Sequence, residues 1–181
     1  NTVEGNSTFY AIPTVETAQR WAEETVPGFR FALKFPQAIS HERQLVGCNA
    51  ELQWFLAVLE VLAKADRLGP TFLQLPARFG PGQIASLDRF LAQLPTEFPY
   101  AVEVRHPDFF GMGPEESALD ALLAKHQIDR SGIKGQGECR AAIDAAVDGD
   151  RAVPLRAGRG AAHGRHPGAA HRPERRRRTH P

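Results

Sequence analysis

Polar side chains recur at the ends of apolar, strand-like segments of this 181-residue chain. Carboxylates at such positions supply general acids or bases, Lys and Arg bind anions, and side-chain amides orient hydroxyl groups. Burying isolated charges is costly, so charged groups of this kind are normally paired with each other or in contact with a ligand. The alternative is that Glu–Lys and Glu–Arg pairs merely close one end of the fold. The residues concerned are Glu4, Asn6, Lys34, Gln74, Glu103 and Arg105.

Loop residues close to the same segment ends add further candidates. His41 and His106 follow the second and fourth segments, and a histidine there can shuttle protons because its pKa lies near neutrality. A histidine in a loop is equally often an ordinary surface residue, or a residue that positions a functional side chain without contacting the substrate. Tyr10 either lines the same region or covers the first helix. We take Glu4, Glu103, His41 and His106 as catalytic candidates, and Asn6, Lys34, Gln74, Arg105 and Tyr10 as substrate-binding candidates.

The elements that position these residues alternate regularly between strand and helix. Apolar and β-branched residues predict strands at 2–9, 29–35, 71–75 and 100–105. Helical spacing of apolar residues follows each strand, after the N-cap residue Thr14, over 51–68, from Ile84 to Leu94 and beyond Pro114. Strands joined by helical crossovers pair in parallel, so the sequence predicts an α/β fold.

Two architectures fit four such units, a doubly wound sheet and a (β/α)8 barrel. No GxGxxG loop follows any strand, which disfavours a dinucleotide-binding, doubly wound sheet. Each strand has one apolar face, and its other face becomes polar towards the carboxyl end. In a barrel that second face points inward, and its carboxyl end lines the mouth where active sites lie. The pattern therefore favours a partial (β/α)8 barrel of about four βα units.

Four motifs resemble the YecE-like proteins, the family called domain of unknown function 72. They are Thr2–Tyr10, Phe31–Lys34 with the Ser40–His41 loop, Leu73–Pro76 with Phe79, and Ala101–His106. The order and spacing of the motifs make the resemblance specific, and it covers about residues 1–126. It implies a TIM-type barrel and a cytoplasmic bacterial or archaeal protein, but it supplies no activity. Six site candidates fall on the family's motif positions: Glu4, Asn6, Lys34, Gln74, Glu103 and Arg105.

The character of the sequence changes after Arg130. We predict a partial barrel over 1–130, an uncertain region with one short helix over 131–150, and a disordered tail over 151–181. The tail holds nine Arg, no Lys and one acid, whereas the rest of the chain has 13 basic and 20 acidic residues. One hypothesis is a basic arm that binds nucleic acid through phosphate contacts. The preferred hypothesis is an out-of-frame end of a GC-rich gene, because Arg, Gly, Ala, Pro and His dominate it.

Composition excludes several classes of protein. No apolar run is long enough to span a membrane, and Cys48 and Cys139 form neither a CxxC pair nor a metal-ligand spacing. The histidines show no HxH or HxxxH spacing, so we predict no metal and no cofactor. The charge of the first 150 residues disfavours nucleic acid as a partner, except non-specifically through the tail.

Three hypotheses about function remain open. The first is an enzyme that acts on a small anionic or hydroxylated substrate, such as a phosphosugar or a nucleotide fragment, by acid–base chemistry. Lys34 and Arg105 would hold the anion, and Glu4 or Glu103 would transfer the proton. The second is a protein that binds or processes nucleic acid, and the third is a truncated product without function. The sequence does not indicate an oligomeric state.

Overall fold

Five parallel strands form the framework of the structure, which is a computed structural model. It describes residues 2–5, for which only the backbone is considered, and residues 7–131. The strands are β1 (Thr2–Gly5), β2 (Arg30–Lys34), β3 (Leu68–Gln74), β4 (Tyr100–Glu103) and β5 (Asp129–Ser131). Neighbouring strands in the sequence are also neighbours in the sheet, in the order β1-β2-β3-β4-β5. The predicted α/β class and parallel pairing are confirmed.

Helices connect the strands. A single turn, α1 (Ser7–Tyr10), and then α2 (Val15–Glu24) join β1 to β2, and α3 (Asn49–Lys64) joins β2 to β3. The other two crossovers are α4 (Ile84–Leu91) and α5 (Pro114–Lys125). Thr14 begins α2 as predicted, because its hydroxyl accepts the backbone amide of Thr17 at 3.2 Å. Shorter turns precede some of these helices at Ala38–Glu42, Pro81–Gln83 and Pro107–Phe110.

The two faces of the sheet bury different sets of side chains. Towards the helices, Phe31 and Leu33 of β2, Leu73 of β3 and Val102 of β4 join one large apolar core. The opposite face carries a small separate cluster of Ala32, Phe72 and Ala101. We call this second surface the inner face. Because side chains alternate along a strand, Lys34, Gln74 and Glu103 share the inner face with that cluster.

The boundaries of several elements differ from the sequence prediction. The first strand ends at Gly5 instead of Phe9, and Ser7–Tyr10 form α1. Helix α3 ends at Lys64, and β3 begins at Leu68 instead of Thr71, so Gly69 and Pro70 belong to a strand. A β-carbon on Gly69 would lie 3.1 Å from the carbonyl oxygen of Phe31, so any larger residue there would push the neighbouring backbone by a few tenths of an ångström.

A register break accommodates this part of β3. Phe31 pairs with Leu68, but Leu33 pairs with Thr71, so three residue steps on β3 match two on β2. The amide of Phe31 donates to the carbonyl of Arg67 at 2.7 Å, just before the break. The extra residue is a β-bulge, and it lets Leu68 and Thr71 face the helices although they are three positions apart.

Strand β5 was not predicted as an element. It pairs with β4 through Ala101–Asp129, Val102–Arg130 and Glu103–Ser131, directly after the four predicted strand–helix units. Arg130 fixes it to the rest of the fold, since its guanidinium contacts Glu116 at 3.1 Å and Asp120 at 2.6 Å. Such a short strand shows no periodicity that a sequence pattern could reveal.

The expectations for the C-terminal part fall on residues 132–181, which lie outside the described residues. They are the short helix within 131–150, the disordered tail over 151–181 and its out-of-frame origin. No helix within the described part has both the length and the apolar character needed to cross a bilayer.

Candidate active site

The carboxyl ends of three neighbouring strands place polar side chains side by side. Lys34 is the last residue of β2, Gln74 of β3 and Glu103 of β4. Gln74 is in register with Glu103, while Lys34 is in register with Phe72, two residues earlier on β3. The side chains therefore occupy two successive levels of the inner face, with Lys34 below the other two.

A hydrogen-bonded chain connects β3 with the end of β4. The amide nitrogen of Gln74 donates to one carboxylate oxygen of Glu103 at 2.7 Å. The other oxygen accepts from Nε of Arg105 at 2.9 Å. Each oxygen of Glu103 thus has a donor, which fixes the orientation of the carboxylate. The guanidinium of Arg105 keeps its two terminal nitrogens for other partners, and its side chain is 45% exposed.

An aromatic contact connects β2 with the histidine loop. The ammonium of Lys34 lies 4.7 Å from the centre of the Phe9 ring, a cation–π contact. The same ring meets the imidazole of His41 edge to face, with centroids 5.1 Å apart. Thr8 holds the backbone of β2 here, because its hydroxyl donates to the carbonyl of Lys34 at 2.7 Å. Helix α1 therefore contacts both the end of β2 and the loop that carries His41.

His41 lies in a π-helical turn over Ala38–Glu42, where the amide of Arg43 donates to the carbonyl of Ala38 at 3.1 Å. π-Helical turns are rare in proteins, and those that do occur are often found at functional sites. The Nδ1 atom of His41 lies 2.8 Å from the hydroxyl of Ser40. Burial lowers the pKa of His41 below its ordinary value, and the positive charges of Lys34, Arg78 and Arg105 lower it further.

Arg78 was not among the sequence-based candidates. Its guanidinium donates to the carbonyl of His41, so the loop after β3 is attached to the loop after β2. The sequence contains one signal for Arg78: it is a basic residue shortly after the end of a strand, as His41 is. The position did not stand out because Pro76–Gly82 contains several turn-forming residues, and these suggested a connecting loop only.

His106 contacts a different set of residues. Its Nδ1 accepts the backbone amide of Asp108 at 3.3 Å and so caps the 3-10 turn Pro107–Phe110. Its ring packs against Gly80, where an added β-carbon would come within 3.0 Å. The other ring contact is with Phe109, at 6.1 Å between centroids. In the described part of the chain, His106 has the contacts of a structural cap.

The remaining candidates differ in what the structure describes. Tyr10 is 73% exposed, and its ring contacts Phe9 edge to face at 5.2 Å, so it lies at the rim of the site. Glu4 is paired in register with Ala32, whose side chain belongs to the inner-face cluster. The side chain of Glu4 and the whole of Asn6 lie outside the described part of the chain.

No metal-binding group is present among the side chains that the structure describes. Within residues 7–131, no three His, Cys, Asp or Glu side chains converge closely enough to hold an ion. Cys48 is a buried free thiol, and burial raises its pKa. The chemistry available to the described site therefore consists of one carboxylate, one imidazole and three cationic side chains.

These features define an α/β protein of consecutive parallel strand–helix units with a polar cluster at the carboxyl edge of its sheet. The chain belongs to the family described as protein of unknown function DUF72, whose model matches residues 1–176. The resemblance found in four motifs is thus confirmed, and the matched region extends beyond residue 126.

Known proteins are similar to this chain in sequence or in fold. The chain is 47% identical over 130 residues to the UPF0759 protein YecE of Escherichia coli K12, covering 72% of this chain and 47% of that protein. A DUF72 family protein of Enterococcus faecalis V583 superposes with a TM-score of 0.62 at 22% identity, over 71% of this chain and 53% of the other. A family member from Thermotoga maritima MSB8 gives 0.52 at 23%, over 71% and 48%. The chain therefore spans about half the length of these relatives.

Proposed function

We propose that the described residues are one part of a (β/α)8 barrel in a cytoplasmic protein. Two features support the barrel. The strand order increases along the sheet without reversal, whereas a doubly wound sheet reverses its order at a switch point. In addition, the helices pack over one face, and the opposite face has its own small apolar cluster with polar residues above it. The cytoplasmic location is what the family resemblance implies.

The proposed function is an enzyme that acts on a small anionic substrate, such as a phosphosugar or a nucleotide-like compound, by acid–base chemistry. One observation carries the proposal: Lys34 and His41 contact the same Phe9 ring, and the guanidinium of Arg78 donates to the carbonyl of His41, so cationic side chains from two different segments meet at the histidine loop. Positive charges near one another repel, so an anion that binds beside Lys34 and Arg78 would be favoured, while Arg105 is already partly neutralised by Glu103. Phosphate and carboxylate groups match the donors of Arg and Lys well.

Each residue then has a distinct role in the proposal. Lys34 and Arg78 make no ion pair with a carboxylate among the described side chains, and the proposal assigns both of them to an incoming anion. Arg105 shares its charge with Glu103 through Nε and offers its terminal nitrogens to the ligand. Glu103 and His41 remain as the groups that transfer protons, and the amide of Gln74 holds Glu103 in place.

Binding of inorganic phosphate to the full chain provides a direct test. Titration calorimetry should show saturable binding that weakens at least tenfold in Lys34→Gln and in Arg78→Gln. Lys125→Gln is the matched control, because Lys125 pairs with Asp88 on the outer surface and should leave affinity unchanged. No saturable binding, or an equal loss in the control, would overturn the anion site.

The acid–base part needs a separate measurement. A panel of phosphosugars and nucleotides should be screened for turnover with the full chain and with a family member of full length. Any activity found should fall by about two to four orders of magnitude in the variant equivalent to Glu103→Gln or His41→Gln. Unchanged activity in both variants would contradict the assignment.

A further inference from the structure

The hydroxyl of Ser40 stands between His41 and the backbone of the preceding loop. Its Oγ lies 2.8 Å from Nδ1 of His41 and 3.2 Å from the carbonyl oxygen of Pro36. The same carbonyl accepts the amides of Ile39 at 3.0 Å and Ser40 at 3.1 Å. A hydroxyl has a single proton, so Ser40 donates either to the imidazole or to the carbonyl.

These two arrangements correspond to different tautomers of neutral His41. When Ser40 donates to Nδ1, the histidine carries its proton on Nε2, and the contact between Ser40 and Pro36 has no proton. When Ser40 donates to Pro36, Nδ1–H of the histidine donates to Ser40, and both short contacts are hydrogen bonds. In the second arrangement the hydroxyl of Ser40 makes two hydrogen bonds instead of one. This arrangement is favoured, because polar groups as deeply buried as Ser40 are normally fully hydrogen-bonded.

We propose that Ser40 is a positioning residue that holds neutral His41 as the Nδ1–H tautomer and leaves Nε2 as the proton acceptor of the site. Ser40 itself is not a nucleophile in this arrangement, because it is only 1% exposed and a substrate cannot reach it. Within the described residues, Nε2 of His41 has no hydrogen-bond partner, and the imidazole is partly exposed.

This inference deepens the proposed function, and it rests on that function only for the use of Nε2 in catalysis. Among the described side chains, the charged groups that act on His41 are Lys34 from β2, Arg78 from the loop after β3 and Arg105 from the end of β4. All three favour the neutral imidazole, while Phe9 of α1 contributes an uncharged ring. A neutral imidazole with a free Nε2 accepts a proton and returns it, so His41 would act first as a base.

Long-range proton–nitrogen correlation spectra of the 15N-labelled full chain test the tautomer directly, because protonated and unprotonated ring nitrogens differ strongly in chemical shift. The His41 signals are assigned by their loss in His41→Gln. At pH values where His41 is neutral, the wild type should show a protonated Nδ1 and an unprotonated Nε2. In Ser40→Ala the proton should move mainly to Nε2, the form that free imidazole side chains prefer in water.

Ser117→Ala is the matched control. Ser117 also donates its hydroxyl to the carbonyl four residues earlier, that of Gly113 at 3.1 Å, but it has no histidine beside it. This variant should leave the His41 spectrum unchanged. A wild-type His41 with its proton on Nε2, or a Ser40→Ala variant that retains Nδ1–H, would overturn the inference.

The wild-type spectrum decides the question even when Ser40→Ala does not fold. Failure of the proposed function is a distinguishable result: phosphate would not bind, while His41 still showed the Nδ1–H tautomer. The reverse result, phosphate binding together with an Nε2–H tautomer, would overturn the role of Ser40 and leave the anion site intact.

Discussion

The hydrogen bond between Gln74 and Glu103 should be the strongest polar contact at the carboxyl edge of the sheet. Its donor and acceptor are 2.7 Å apart, Gln74 is 9% exposed, and the side chain of Glu103 is 23% exposed. Hydrogen bonds to charged groups contribute about 1.5–3 kcal/mol, and this one should lie near the lower end because Glu103 retains contact with water. We therefore expect about 1.5 kcal/mol.

The ion pair between Glu103 and Arg105 should contribute less. Its nitrogen and oxygen are 2.9 Å apart, but the Arg105 side chain is 45% exposed. Solvent screens such pairs, and ordering a long side chain costs entropy, so exposed ion pairs contribute about 0.2–1 kcal/mol. Distance alone would rank the two contacts as nearly equal, and burial decides between them.

Two double-mutant cycles measure the two coupling energies separately. Gln74→Met and Glu103→Met keep the side-chain length without the polar atoms, and urea unfolding of the full chain gives the free energy of unfolding of each variant. The coupling energy for Gln74 and Glu103 should be about 1.5 kcal/mol. The corresponding cycle with Arg105→Met should give about 0.5 kcal/mol.

Lys125→Met combined with Glu103→Met is the control cycle, because Lys125 bonds to Asp88 on the outer surface at 2.8 Å. These two changes should be additive to within about 0.5 kcal/mol. A coupling for Gln74 no larger than that for Arg105 would refute the ranking by burial. It would also remove the reason for assigning Gln74 the task of holding the carboxylate.

Three further predictions concern other parts of the structure. Tyr100→Phe should leave the free energy of unfolding unchanged or raise it by up to about 1 kcal/mol in urea titrations, because the buried hydroxyl has no partner among the described residues. Gly80→Ala should lower it by about 1–3 kcal/mol by displacing the His106 ring, whereas Gly82→Ala, with open space around the new β-carbon, should have little effect. Because the folded state lowers the pKa of His41 below 6.5, unfolding takes up a proton as the pH falls through that value, and stability should decrease there in the wild type more than in His41→Gln.

Much of the sheet follows from the sequence because alternation along a strand is a local signal. Phe31 and Leu33 alternate with Ala32 and Lys34, and the structure separates these pairs onto the two faces as the pattern predicts. The same alternation in β4 puts Glu103 on the inner face. Local patterning was therefore sufficient for the parallel strands and for the side of the sheet on which the polar residues lie.

The parts that were missed depend on contacts between distant residues. Gly69 and Pro70 predicted the end of a helix, because both disfavour helices, and their place in β3 becomes apparent only from the pairing of β3 with β2 across the register break. The contact between Nδ1 of His106 and the amide of Asp108, which no local pattern indicated, depends on the shape of the turn after β4. The approach of Arg78 to His41 joins residues 37 positions apart, and no local pattern reports it.

Because of the β-bulge at Gly69 and Pro70, the packing of the first residue of β3 does not determine which face the last residues of β3 point to. Before the bulge, the side chain of Leu68 packs in the core beneath the helices. After the bulge, regular alternation of side chains between the two faces resumes at Thr71. Loss of one residue within the bulge would give a regular strand and leave Gln74 beside Glu103. Loss of one residue after it would turn Gln74 to the opposite face. The start of β3 can therefore change in length and packing, while the alternation from Thr71 onward keeps Gln74 on the inner face.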